Sequence, residues 1–153
     1  MFLLLCCSAA SADETIQIGQ SVAVLLRPNS PAASIILMPG GDGSINPGPN
    51  GEVRGLNQNQ LVRTRNAYLA RDIAVLLVDA GVDLAHAVQF MGRIKEPVTV
   101  MATSRGTIRA AVGISLGARP NALVLTSGFL SKESGSVPRK TCGIYNMRPF
   151  EEP

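Results

Sequence analysis

Four short, unbroken apolar runs recur along the chain: Ser34–Met38 (SIILM), Ile73–Val78 (IAVLLV), Pro97–Met101 (PVTVM) and Ala122–Thr126 (ALVLT). Each is too short for an ordinary helix and lacks the polar-apolar alternation of a strand that is wet on one face. Strands covered on both faces have this pattern. Segments of helical period lie between them. In residues 57–72, Leu61, Val62, Tyr68 and Leu69 share a side, while Arg63, Arg65 and Arg71 are directed elsewhere. Residues 82–94 carry Leu84, Val88 and Met91, and Thr107–Leu116 forms a helix that Gly117 is placed to end. Strands alternating with helices predict an α/β fold, with a mainly parallel sheet, helices on both faces and right-handed crossovers.

Upstream of the first run, residues 15–26 alternate in part through Ile16, Ile18, Val22, Val24 and Leu26, as expected of a strand or hairpin near a sheet edge. The 153 residues suffice for one domain and one core. Aromatic residues make up only 4% and Trp is absent, so Ala, Val, Leu and Ile must build that core. The net charge of +3 comes from scattered Arg and Lys with no run and no interleaved aromatics, which argues against a nucleic-acid surface. With one histidine in all and no Cys/His spacing for zinc, neither a metal nor a cofactor is expected.

Both ends read differently from the middle. Residues 2–7 are a short apolar run, and Ala10-Ser11-Ala12 fits a small-residue cleavage site, so residues 1–12 read as a signal peptide of an exported, periplasmic or secreted protein. No Lys or Arg precedes the run, a departure from such signals; the alternative is a buried N-terminal segment. The run is too short to span a bilayer. Cleavage would remove Cys6 and Cys7 and leave Cys142 without an intramolecular partner. The domain is expected over 13–131, followed by an irregular tail over 132–153 with Gly, Pro and charges but no clear period.

Two segments compete for a nucleophilic serine. Gly113-Ile114-Ser115-Leu116-Gly117 matches Gly-x-Ser-x-Gly letter for letter, whereas Ala102-Thr103-Ser104-Arg105-Gly106 has Ala first. The chemistry needs a serine on a sharp turn between a central strand and a helix, where its hydroxyl is exposed and the next backbone N–H faces a developing oxyanion. Ser104 meets that requirement, with the small residues Ala102 and Gly106 letting strand and helix approach closely. Ser115 lies within the helix, on a face with Ile108, Ala111, Val112 and Leu116. It is expected to pack against the sheet with its hydroxyl bonded back to a carbonyl one turn earlier. The plainer reading of Ser104 is a strand-ending serine that caps the next helix.

Pro39-Gly40-Gly41-Asp42-Gly43 directly follows the first apolar run. Glycines there let backbone amides face a site unobstructed. A nucleotide-binding loop is the rival reading, but there is no third Gly at dinucleotide spacing and no Gly-Lys-Ser/Thr. A Pro/Gly-rich stretch also separates the loop from the next helix, whereas a phosphate loop opens straight into one.

Strand, Pro-Gly-Gly-Asp-Gly, helix, strand, helix, strand, Ala-Thr-Ser-Arg-Gly-Thr, helix and Ala-Leu-Val-Leu-Thr-Ser-Gly together resemble the α/β-hydrolase superfamily over about Ile16 to Phe129. The likeness is to small exported bacterial hydrolases with a Gly-Thr-Ser-Arg-Gly-Thr elbow. The resemblance implies hydrolysis of a small-molecule ester or related acyl substrate. Ser104 would be the nucleophile, with the N–H groups of Gly41 or Asp42 and of Arg105 as the oxyanion hole. It also implies an acid and then a histidine after the serine, yet the single histidine, His86, comes before it on a helix. Glu133, Glu151 and Glu152 are the acids that follow, and Asp79 ends a strand near the expected site. The expectation is therefore a hydrolase-family chain that is C-terminally incomplete and impaired. The alternatives are a non-catalytic remnant or binding module of the same fold and a nucleotide-binding α/β domain. Substrate and oligomeric state stay open.

Overall fold

A computed structural model describes residues 13–127 and 142–146. Residues 1–12, read as a signal peptide, and most of the segment after Ser127 lie outside the described residues. The seven strands are β1 (Glu14–Ile18), β2 (Ser21–Leu26), β3 (Ala33–Met38), β4 (Ile73–Val78), β5 (Val98–Thr103), β6 (Ala122–Thr126) and β7 (Cys142–Asn146). They form one sheet in the order β1-β2-β4-β3-β5-β6-β7. β3, β4, β5 and β6 are mutually parallel, β2 and β7 run antiparallel to them, and β1 pairs antiparallel with β2. The chain is an α/β protein with a mostly parallel sheet and helices on both faces, as the apolar runs require.

Local chemistry sets the ends of the three helices α1 (Gln60–Leu69), α2 (Leu84–Ile94) and α3 (Arg105–Ser115). The Asn59 side chain accepts from the Leu61 N–H, and the Asp83 side chain accepts from the His86 N–H. Each bond satisfies a donor that the first helical turn leaves unpaired. Gly117 closes α3 at a φ of 108°, the left-handed conformation that suits glycine.

The direction of the crossovers decides which face each helix covers. β3 connects through α1 to β4 on one side, and β4 connects through α2 past β3 to β5 on the other. With right-handed connections, α1 and α2 must lie on opposite faces. Accordingly, Leu61 and Val62 of α1 pack with Ile35, Leu37, Val75 and Leu77. Leu84, Ala87 and Met91 of α2 and Ala110 of α3 pack with the alternate set that includes Ile36, Leu76, Val100 and Leu125. β3 and β5 are neighbours whose following helices leave to opposite faces. Such a switch point opens a crevice at the C-terminal ends of the two strands.

Two expectations need correction. α3 does not bury the face with Ile108, Val112, Ser115 and Leu116: Val112 is 51% and Leu116 77% exposed, and Ser115 is exposed. Gly106, Thr107, Ala110 and Ala111 face the sheet instead. The cause is close approach: a Cβ on Gly106 would sit 2.7 Å from the Pro39 carbonyl oxygen and nearer still to that of Met38. At that separation only small side chains fit. The Ser115 hydroxyl does donate back to the Val112 carbonyl at 2.7 Å, as expected. Second, the stretch after Lys132 contains β7, which pairs with β6 from Ala122↔Asn146 to Thr126↔Cys142. Its pairing with the β6 edge satisfies backbone groups that no local periodicity announces.

Candidate active site

Ser104 links β5 directly to α3, with φ 52° and ψ −128°. A non-glycine residue in that conformation is strained, at a cost of about 1–3 kcal/mol. Its backbone is held firmly. The Ser104 N–H donates to the Thr126 carbonyl at 3.1 Å. Its own carbonyl accepts from the Thr107 N–H at 3.0 Å and from the Thr107 hydroxyl at 2.7 Å. The side chain makes no capping hydrogen bond to α3. The plain capping reading therefore lacks the bond that defines it.

The glycine loop lies against this turn. Met38 pairs with Ala102, so the chain leaving β3 runs beside the chain leaving β5. At buried Gly40 a Cβ would stand 2.8 Å from the Ser104 Cβ and 3.4 Å from its Oγ, so any other residue there would press on the serine. Gly41 and Gly43 have φ of 65° and 84°. The Asp42 carboxylate accepts from the Ser44 N–H at 3.0 Å, bending the loop locally.

Two side chains from elsewhere fix the same loop. The Arg109 guanidinium reaches over from α3, donating through Nη1 to the Asp42 carbonyl at 2.8 Å and through Nη2 to the Pro39 carbonyl. Burial pushes the Arg109 guanidinium below its ordinary range, and the Asp42 and Asp79 carboxylates oppose that shift. Asp79, at the end of β4, accepts from the Ile45 N–H at 2.7 Å. Asp79 thus serves the loop's backbone. A cavity of about 240 Å³ lies alongside, between the start of α2 and α3, walled by Met38, Asp79, Leu84, Arg109, Val112 and Leu116.

The structure brings Gly40 against Ser104 at the switch point, with Gly41 and Asp42 next along the loop, Arg105 opening α3, Gly106 against the Met38 and Pro39 carbonyls, and Ala102 buried in β5. Gly40 as the residue touching the serine, and Arg109 and Asp79 as anchors of the loop, were not singled out from sequence. The anchoring bonds span 67 and 70 residues for Arg109 and 34 for Asp79, so no local pattern announces them. His86 is exposed on α2, its Nδ1 3.6 Å from Asp83 Oδ1 and its ring beside Gly19. Residues 44–59 separate the glycine loop from α1 at Gln60, so it does not open into that helix's N-terminus as a phosphate loop does. No helix among the described residues is long and apolar enough to cross a membrane.

No family model matches the chain, and no curated protein matches it either. Among solved structures it is similar to TT1662 from Thermus thermophilus, with a TM-score of 0.54 and 16% identity. The likeness covers 84% of this chain and 62% of that one, and it is a likeness of fold.

Proposed function

We propose that the chain is a serine hydrolase of the α/β-hydrolase superfamily acting on a small ester or related acyl substrate. The Ser104 Oγ attacks the carbonyl, the scissile ester C–O bond breaks as the serine's proton passes to the departing alcohol, and water then hydrolyses the acyl-enzyme to release the acid and restore the hydroxyl. The N–H of Gly41 or Asp42 and that of Arg105 receive the oxyanion. The observation that carries the reading is the strained Ser104 between β5 and α3, its hydroxyl unspent on capping and Gly40 packed against it. Backbone strain of this kind is concentrated at functional sites. The mainly apolar cavity walled in part by Met38 and Arg109 suits the hydrocarbon portion of such a substrate. Residues 1–12 would direct export, and an N-terminus at Asp13 in the secreted chain would bear this out.

A fluorophosphonate probe should label Ser104, and the label should vanish in Ser104→Ala; labelling that survives the substitution refutes the assignment. A second reading is favoured by one observation: His86 is exposed on α2, its Nδ1 beside Asp83 and its ring beside Gly19. A serine without a base is a weak nucleophile, and the chain would then be a binding module of the same fold. Turnover of short p-nitrophenyl esters, lost in Ser104→Ala, rules out the second reading.

A further inference from the structure

We propose that Arg109 is the positioning residue of the glycine loop, setting the backbone of residues 39–43 against Ser104 from the same helix that aims the serine. This rests on the reading of Ser104 as the nucleophile. Gly41 and Gly43 give the loop more conformational freedom than other residues would, and left-handed φ values alone do not fix it in one place. The guanidinium supplies what the glycines withhold. It is a planar fork with donors at fixed angles, and here two of its nitrogens engage two carbonyls of one loop, those of Pro39 and Asp42. Anchoring a carbonyl orients its whole peptide plane. The two anchored planes, 39–40 and 42–43, bracket the amides of Gly41 and Asp42 assigned to the oxyanion.

The loop is shaped to receive this side chain. A Cβ on Gly43 would overlap the Arg109 guanidinium, so glycine there leaves the space that the guanidinium occupies. Asp79 secures the far end of the loop through the Ile45 N–H and adds a favourable charge near Arg109. Ser104 is the residue before α3 and Arg109 lies within its second turn, so loop and nucleophile share one rigid frame. Lysine could place one charge near one carbonyl but could not hold both planes.

The test compares the full chain with Arg109→Met, which keeps much of the apolar stem and loses the donors, and with Arg109→Lys. Backbone ¹⁵N relaxation of Gly40 to Gly43 reads the loop directly. Fluorophosphonate labelling of Ser104 is resolved into probe affinity and maximal rate. In Arg109→Met the loop amides should gain fast motion while β5 and α3 do not. The maximal labelling rate should fall about ten-fold or more with affinity little changed, because small displacements at a reacting centre are costly. Arg109→Lys should recover part of that rate. Ser104→Ala should leave the loop's relaxation untouched. Unchanged loop relaxation in Arg109→Met overturns the proposal, and so does a loosened loop with an unchanged labelling rate. If the wild-type chain takes no label, the nucleophile reading fails, and relaxation alone then decides whether Arg109 holds the loop. Should Arg109→Met not fold, Arg109→Lys carries the same comparison, and unchanged loop relaxation there overturns the proposal.

Discussion

The conformation of Ser104 makes a stability prediction that separates a nucleophile turn from a capping serine. Replacing Ser104 by Gly removes the penalty for an L-residue at φ 52° and ψ −128°, about 1–3 kcal/mol for such conformations. Against this stands the greater freedom of glycine in the unfolded chain, about 0.5–1 kcal/mol. The hydroxyl makes no capping bond, so its loss adds little. Ser104→Gly should therefore stabilise the fold by about 1 kcal/mol, or about 3 °C in Tm for a chain of this size. Ser104→Ala keeps the strain and should lie within about 0.5 kcal/mol of wild type. A true capping serine behaves otherwise: Ala costs about 0.5–2 kcal/mol and Gly only a few tenths. Urea melts of the three proteins at constant m-value measure the order. Gly above Ser and Ala, with the last two close together, supports the strained turn. Ser above Gly above Ala refutes it, and with it the structural argument for Ser104 as a nucleophile.

Other substitutions test the packing beneath the site. Gly106→Ala drives a Cβ into the Met38 and Pro39 carbonyls, which are backbone atoms that cannot swing aside, so a loss of about 3 kcal/mol is expected in the same melts. The true buried face of α3 is checked by a pair: Ala110→Leu, at a site with 0% exposure, should cost about 1–3 kcal/mol, whereas Leu116→Gln should change stability by less than about 0.5 kcal/mol. The reverse order would restore the face through Ile108, Val112 and Leu116 as the buried one. Burial raises the Asp13 carboxyl above the ordinary aspartate range, only partly offset by Arg65. The folded state then holds this proton more tightly than the unfolded state, so Asp13 costs stability as pH rises through that range and goes on costing it at neutral pH. Asp13→Asn should raise Tm at pH 7, and the gain should vanish at a pH low enough to protonate Asp13 in both states. A gain that persists there would point to another cause.

The strands were legible because a strand buried on both faces has a signature in the residue types alone. β4 and β6 fall on Ile73–Val78 and Ala122–Thr126, the apolar runs themselves, and β5 continues to Thr103. The serine turn was legible for the same reason, since its place follows from the end of a strand. The α3 face was not. Periodicity in large apolar residues marks where side chains fill a gap between elements, and here the gap is absent. The contact is backbone against helix, and its residues are Gly106, Thr107, Ala110 and Ala111, which carry little hydrophobic signal. β7 was missed because a strand completed by non-local pairing has no period of its own to display in Cys142–Asn146. Gly40 could be read as a loop glycine but not as the one that touches the serine, and Arg109 could be read only as a helical cation.

The misses at α3, Gly40 and Arg109 share one physical origin, and it bears on function. For Ser104 to meet the glycine loop, α3 must begin almost in contact with the end of β3, because the loop leaves β3 at Pro39. That requirement excludes a side chain at position 106, which is why Gly106 is glycine, and it keeps the helix's sheet-facing side small. The same closeness leaves Arg109 free to fold back over the loop and Val112 and Leu116 to wall the cavity. A helix buried by large apolar side chains would stand farther from the sheet and give up the Gly40–Ser104 contact. The weak hydrophobic face of α3 is therefore a consequence of the geometry that assembles the site.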